Sequence, residues 1–362
     1  MGNIFDYLKW RDIKLEKVEF NQIDALILSR FSYLPFDGLI DENEKITTKE
    51  CYERYEIVGE RGEILIEQDV DLFPTLAKSK RFGNLYISDY INDIDKKKDL
   101  QFSAITVFLP DNTMAVLFRG TDNTFVGWKE DFNMCFSTTV PAQLKAVDYL
   151  EKMYLKYKKK IIVIGHSKGG NLSIYSAVFC NKKIKKSILD VYNFDGPGFM
   201  DEVIDSQEYE EILDKIHNII PESSIVGRML KHKGELKVIK STEKGIMQHD
   251  LYSWQLLGDE FVEATLTKSS EFVDNTLTEW LQNVNPEQRE KFVNIIFEIF
   301  EATGAKRFSE LNQKKLAAAR TIITKYQELD EISKAYVNTA MNMFVKAGKD
   351  SIPLVRKKEK KW

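Results

Sequence analysis

Residues 161–171 read Ile-Ile-Val-Ile-Gly-His-Ser-Lys-Gly-Gly-Asn, an apolar run that halts at Gly165-His166-Ser167-Lys168-Gly169 and passes straight into a stretch with helical spacing. The run has the length and β-branched character of a buried strand, and Leu172, Tyr175, Ser176 and Phe179 behind it follow a helical period. A Gly-x-Ser-x-Gly motif between such elements is a nucleophile elbow. The chain turns so sharply from strand to helix that the serine stands at the apex, and small neighbours let the backbone pass closely there. The motif alone is weak, since any glycine-rich turn supplies it. Its setting nominates Ser167 as a nucleophile projecting from the end of a sheet.

Working outward, Ala104–Leu109 and Met114–Arg119 form β-type runs around the turn Pro110-Asp111-Asn112, a hairpin pattern. A helix is expected over Ala142–Tyr157, a strand over Leu189–Phe194, and β-type runs over Lys215–Ile220 and Leu236–Lys240. Near the start, Ile23, Leu26 and Ile27 carry a helical period through the stretch Phe20–Phe36. Strands alternating with helices predict an α/β fold, a mostly parallel sheet covered by helices on both faces. The expected organisation is one such domain over residues 1–260, with the mixed sequence of 41–100 offering room for a lid.

From about Asp259 onward every signal is helical, which predicts a C-terminal helical segment over 261–362. Pro286 after Asn285 marks a first turn, Phe292, Ile295, Ile296, Ile299 and Phe300 line one face, and Gly304 marks the stop. Val273, Leu277, Trp280, Leu281 and Val284 form a similar stripe. These faces are expected to pack on the domain before them or on one another, with protein-partner binding as the other reading. The basic tail Arg356-Lys357-Lys358-Glu359-Lys360-Lys361 reads as solvated, with peripheral contact with membrane headgroups or RNA as its minor alternative.

The chain has 362 residues, 43% hydrophobic, 30% charged, with a formal net charge of −4. That balance supports a sizeable core and gives no global attraction to nucleic acid or anionic membrane. Cys51, Cys135 and Cys180 lack any paired or metal-ligand spacing, so neither a disulfide framework, a metal site nor a cofactor is expected. The N-terminus mixes charge with apolar residues, unlike a secretion signal, and no run approaches the roughly 18 uncharged residues of a membrane span. The expected location is cytoplasmic.

A serine at neutral pH needs a general base and a carboxylate that orients it. Of the four histidines, His166 sits in the elbow and reads as packing, His217 lies within a β-type run, and His232 falls in a polar stretch read as a solvated loop. His249 comes after the last strand-like run, in the Ser, acid, His order of α/β-hydrolases, and is the expected base. Asp195, at the end of the strand after the serine strand, is the first candidate for the acid, and Glu222, at the end of the next, is the second; Asp250 is an outside candidate. An acyl-transfer site also requires donors for the oxyanion. The backbone N–H of Lys168 supplies one, and Thr121, closing the strand that ends Phe118-Arg119-Gly120, is placed to supply another through its N–H and its hydroxyl.

The chain resembles the class-three lipases at Phe118-Arg119-Gly120-Thr121, Trp128 and Asp131, and at the elbow itself. More closely, Gly165 to Asn171, Phe194-Asp195-Gly196-Pro197-Gly198-Phe199, Pro221 to Gly227 and Gln248-His249-Asp250 resemble a bacterial Mbeg-like family of unknown function among the lipase-like hydrolases, over roughly residues 20–260. The resemblance implies the α/β-hydrolase fold and the roles of Ser167, Thr121 and Lys168. Two departures stand out. The lipases carry their acid where this chain has the serines of Ser223-Ser224-Ile225-Val226-Gly227, which leaves Asp195 or Glu222 to serve. Lys168 replaces an apolar residue, and its charge beside the serine is expected to disfavour a greasy acyl chain or to attract an anionic group. The expected function is a serine ester hydrolase of carboxylesterase, lysophospholipase or thioesterase type, acting on a small or lipid-like ester without a cofactor. The alternative is a hydrolase-shaped binding module with little turnover.

Overall fold

The structure, a computed structural model, describes residues 1–59, 64–134, 137–267, 286–307, 310, 315–339 and 342. Eight strands form one sheet in sequential order: β1 (Lys45–Thr47), β2 (Tyr86–Asp95), β3 (Leu100–Phe108), β4 (Thr113–Phe118), β5 (Lys160–His166), β6 (Ile188–Phe194), β7 (Ile216–Pro221) and β8 (Leu236–Ile239). The first four pair antiparallel, and β4 through β8 run parallel. Parallel neighbours need a crossover, supplied by α6 (Pro141–Tyr157) before β5 and α7 (Lys168–Phe179) after it. The parallel strands therefore all end at one edge, where residues 119–121, 167, 195 and 222 gather.

Strand β5 shows why the sequence folds this way. Ile162 and Ile164 enter the core beneath α2 (Gln22–Phe31), while Ile161 and Val163 enter the core beneath α6 and α7. Both faces are buried, so the strand reads as a continuous apolar run. Each such side chain stabilises the fold by about 2 kcal/mol.

The stretch 41–100 contributes β1, α3 (Thr48–Val58), α4 (Asp69–Lys78) and β2. A short helix, α1 (Ile4–Trp10), opens the chain, and α5 (Phe125–Asn133) follows β4. The helix Pro286–Glu301 starts at the expected proline, and Gly304, at φ +76, turns the chain after it. It packs on α5: Phe300 stacks on Phe125 at 5.7 Å between ring centres, Phe297 meets Phe132 edge-on at 5.9 Å, and the Phe125 N–H donates to the Lys306 carbonyl at 2.9 Å. A further helix spans Lys315–Glu328. The stripe from Val273 to Val284 and the basic tail lie outside the described residues. No described helix is long and apolar enough to cross a membrane.

Candidate active site

Ser167 links β5 to α7 with φ 58 and ψ −132, a left-handed conformation that an L-residue adopts only where its surroundings enforce it. The enforcement is visible at the glycines. A Cβ on Gly165 would lie 2.0 Å from the Gly169 carbonyl oxygen, and one on Gly169 would lie 2.1 Å from that of Phe118. The Ser167 N–H donates to the Phe194 carbonyl at 2.9 Å, tying the apex to β6.

His249 ends a single helical turn, Gly245–His249, that follows β8. Its Nδ1 lies 2.6 Å from Oδ2 of Asp195, whose side chain is 1% exposed. Asp195 itself has φ 49, and its Oδ1 accepts from the Ser224 hydroxyl and from the Gly227 N–H at 3.2 Å. The carboxylate is thus held at both oxygens. Glu222 is held through its backbone, donating to Ile239 and accepting from Thr267, and its carboxylate makes no hydrogen bond to a described residue. Asp250 caps the turn after it through the Tyr252 N–H at 3.0 Å. Of the candidate acids, then, Asp195 is brought to His249.

His166 does more than pack. Its ring lies 4.4 Å from that of His249, centre to centre, its Nε2 is 2.9 Å from the His249 carbonyl, and its Nδ1 is 2.9 Å from the Tyr33 hydroxyl. A carbonyl only accepts, so Nε2 carries the hydrogen and Nδ1 accepts from Tyr33. Burial, then the neighbouring His249 and Arg30, hold His166 well below its usual range and keep it neutral. The same loop is fastened again at Tyr252, whose hydroxyl donates to Asp69 at 2.8 Å; Asp69 is paired with Arg30, and the Arg30 guanidinium lies 4.5 Å from the centre of the Tyr33 ring.

The opposite side of the serine is formed by the turn after β4. A Cβ on Gly120 would lie 2.1 Å from the Tyr33 Oη, 2.7 Å from the His166 carbonyl and 3.1 Å from the Ser167 Cβ, so only glycine passes there. The N–H groups of Thr121 and Lys168 donate to no described residue. Lys168 opens α7, where no carbonyl lies one turn back to accept. The Thr121 hydroxyl donates to Asp131 on α5.

Two expectations need correction. The charge of Lys168 does not lie beside an acyl chain. Its side chain is 1% exposed and runs away from the serine to the Gln101 carbonyl at 2.9 Å, the Gln101 side chain, and Glu130 at 3.0 Å, with Asp131 at 3.8 Å. A primary ammonium must find partners when buried, and these acceptors on β3 and α5 provide them. His232 is not solvated either: both ring nitrogens are buried, and burial, then Arg228, pushes it down to about 4. His217 is half-buried as expected, stacked on Tyr192 at 4.7 Å and bonded to Asp190 at 2.7 Å. Tyr33, Ser224 and Glu130 escaped the sequence reading, because contacts across 29 to 133 residues leave no local pattern. Only Ser224 carried a clue, standing where the lipase pattern has aspartate. Among the described residues no acidic, histidine or cysteine cluster has the makings of a metal site.

Residues 76–298, more than half of the chain, match the Mbeg1-like family. The chain belongs to that family. No curated protein matches it. Among solved structures, the Mbeg1-like chain is similar to Rhizomucor miehei lipase in its propeptide complex, with 17% identity, TM-score 0.37, and coverage of 59% of this chain and 66% of that one. It is similar to M37 lipase at 15% identity and TM-score 0.37, over 59% and 71%. A triacylglycerol lipase from Penicillium expansum matches at 13% identity and TM-score 0.30, over 47% and 72%. The Mbeg1-like chain thus spans just under two thirds of the Rhizomucor protein.

Proposed function

We propose that the protein is a serine hydrolase of carboxylic esters. Ser167 attacks the ester carbonyl while His249 takes its proton, Asp195 orients and charge-balances the imidazolium, and the N–H groups of Lys168 and Thr121 hydrogen-bond the oxyanion. His249 then returns the proton to the leaving alcohol or thiol, leaving an acyl group on Ser167. Water, deprotonated by the same imidazole, releases the acid. The observation that supports this most directly is the 2.6 Å contact between the buried Asp195 and His249, on a loop fastened to the residue preceding a left-handed serine.

A carboxylester, thioester or lysophospholipid is the substrate class. Exposed apolar side chains on the turn of His249, Ile246 and Met247, favour a lipid-like acyl group. The test is labelling with a fluorophosphonate, followed by hydrolysis of p-nitrophenyl esters of graded length. Wild-type protein is expected to be labelled and Ser167→Ala not. Folded wild type that resists the probe would instead favour a binding module on a hydrolase fold.

A further inference from the structure

Lys168 and Glu130 form a charged pair, 1% and 0% exposed, that the mechanism above leaves without a role. Desolvating two ions costs several kcal/mol each before their attraction is counted, and an apolar pair often serves stability as well or better. The pair sits directly after the nucleophile. Glu130 joins three elements there: Oε2 accepts from Lys168 and from the Gln101 N–H of β3 at 3.1 Å, and Oε1 accepts from the Ala142 N–H in the first turn of α6 at 2.8 Å. The next residue on α5 is Asp131, which takes the hydrogen of the Thr121 hydroxyl.

We propose, building on the serine-hydrolase reading, that Lys168 and Glu130 are positioning residues for the oxyanion side of the site: they fix Asp131, which through Thr121 tethers the turn bearing the oxyanion N–H. The chemistry of a hydroxyl sharpens this. It has one hydrogen. While the Asp131 carboxylate accepts it, Thr121 cannot also give it to an oxyanion, so Thr121 contributes its N–H and its side chain serves as the tether. Among the described residues, groups facing Asp131 include Lys168 from α7, Thr121 and Asp122 from the turn after β4, Glu130 from its own helix and Tyr33 from the segment after α2. Burial pushes Asp131 up to about 6, Lys168 and Thr121 oppose that rise, and Glu130 and Asp122 add to it. The tether therefore has its stated polarity above about pH 6.

The test removes both charges of the pair at once, in Lys168→Met/Glu130→Gln, so that neither member is left facing the other's vacancy; Asp131 loses the Lys168 ammonium, which is part of what is tested. Fluorophosphonate labelling and ester kinetics are measured on the full chain. The expected result is a kcat lower by about ten- to a hundredfold with KM within about threefold, because positioning acts on the transition state. Should that variant fail to fold, a cycle of Thr121→Val and Asp131→Ala decides. Each is expected to lower kcat by about tenfold, and the double variant by no more than either, because both break one hydrogen bond. A loss above about a hundredfold in Thr121→Val alone would make the hydroxyl itself an oxyanion donor and overturn the proposal. So would additive losses in the cycle, or a folded charge-free variant with wild-type kcat. If wild type resists the probe altogether, the function proposed above fails first; if wild type reacts and these variants react equally fast, only the positioning role fails.

Discussion

Replacing Asp195 by asparagine tests the base side of the site with almost no change in shape. The carboxylate Oδ1 accepts from the Ser224 hydroxyl and the Gly227 N–H, and Oδ2 accepts from His249 Nδ1. In Asp195→Asn the Gly227 N–H is a fixed donor, so the amide oxygen must stay at the Oδ1 position and the NH2 group faces His249. Nδ1 then accepts rather than donates, and the imidazole proton moves to Nε2, the nitrogen that takes the serine proton in the proposed mechanism. Flipping the amide instead sets NH2 against the Gly227 N–H, leaving a buried donor unpaired at a cost of about 1–3 kcal/mol. A triad held in the wrong tautomer loses about ten-thousandfold in kcat, roughly 5.5 kcal/mol of barrier. The assay is the rate of fluorophosphonate labelling together with kcat on a short p-nitrophenyl ester, with the melting temperature as a check on folding. Glu222→Gln, measured beside it, is expected to stay within about twofold of wild type. Retention of more than about a tenth of the activity in Asp195→Asn, or its loss in Glu222→Gln, would refute the assignment.

Three further outcomes follow from the packing. Gly120→Ala forces a methyl to 2.1 Å from the Tyr33 Oη and 2.7 Å from the His166 carbonyl, so kcat is expected to fall by about a hundredfold or more; Tyr33→Phe in the same chain removes the first clash but not the backbone one, and full rescue by it would count against this geometry. Tyr33→Phe alone strands the buried His166 Nδ1 and is expected to cost about 1–3 kcal/mol in urea unfolding, with kcat lowered more than KM is raised; an unchanged midpoint would contradict the bond. His232 is held at about 4 in the fold against an ordinary 6.5, so the unfolded chain binds the proton first and stability is lost as pH falls from about 6.5 toward 4. Melting curves across that window are expected to flatten in His232→Gln, and an unaltered slope would exclude the group.

What was legible in the sequence follows burial. Strand β5 is covered on both faces, so its apolar run announced it, and the elbow fixed where the serine stands. Strand β2 was not legible, because Asp89, Asn92 and Asp93 interrupt its pattern. Their partners, Lys156 and Tyr157 for Asp89, Arg119 for Asn92 and Lys145 for Asp93, lie 27 to 68 residues away and appear only when the helix layer closes over the sheet. Helix α5 escaped for a related reason: Glu130 faces the site while Phe125 and Phe132 face the C-terminal helix, so no single apolar stripe remains. Chain order left two acids open. The donors from Ser224 and Gly227, which converge on Asp195, belong to a different strand connection and could not be read from spacing. Nor could the direction of the Lys168 side chain, since position after a nucleophile says nothing about which neighbours will accept its hydrogens.

The two sides of Ser167 are fastened by different parts of the chain, and this has a kinetic consequence. The base side hangs on the N-terminal layer, through Tyr33 to His166 and through Arg30 and Asp69 to Tyr252. The oxyanion side hangs on α5, which is clamped from within by Lys168 and Glu130 and from outside by Phe297 and Phe300 of the C-terminal helix. On the proposed mechanism, loosening the first layer would move the imidazole that is to take the serine proton. Loosening the second would move the N–H groups assigned by the same proposal to the developing oxyanion. A boronic acid, which mimics the tetrahedral intermediate, separates the two, because its bound form depends on the oxyanion donors more than on proton transfer. Phe297→Ala should therefore weaken boronate binding in step with kcat, whereas Tyr33→Phe should lower kcat with a smaller loss of boronate affinity. Equal losses in both variants would mean that the two layers hold the site as one unit.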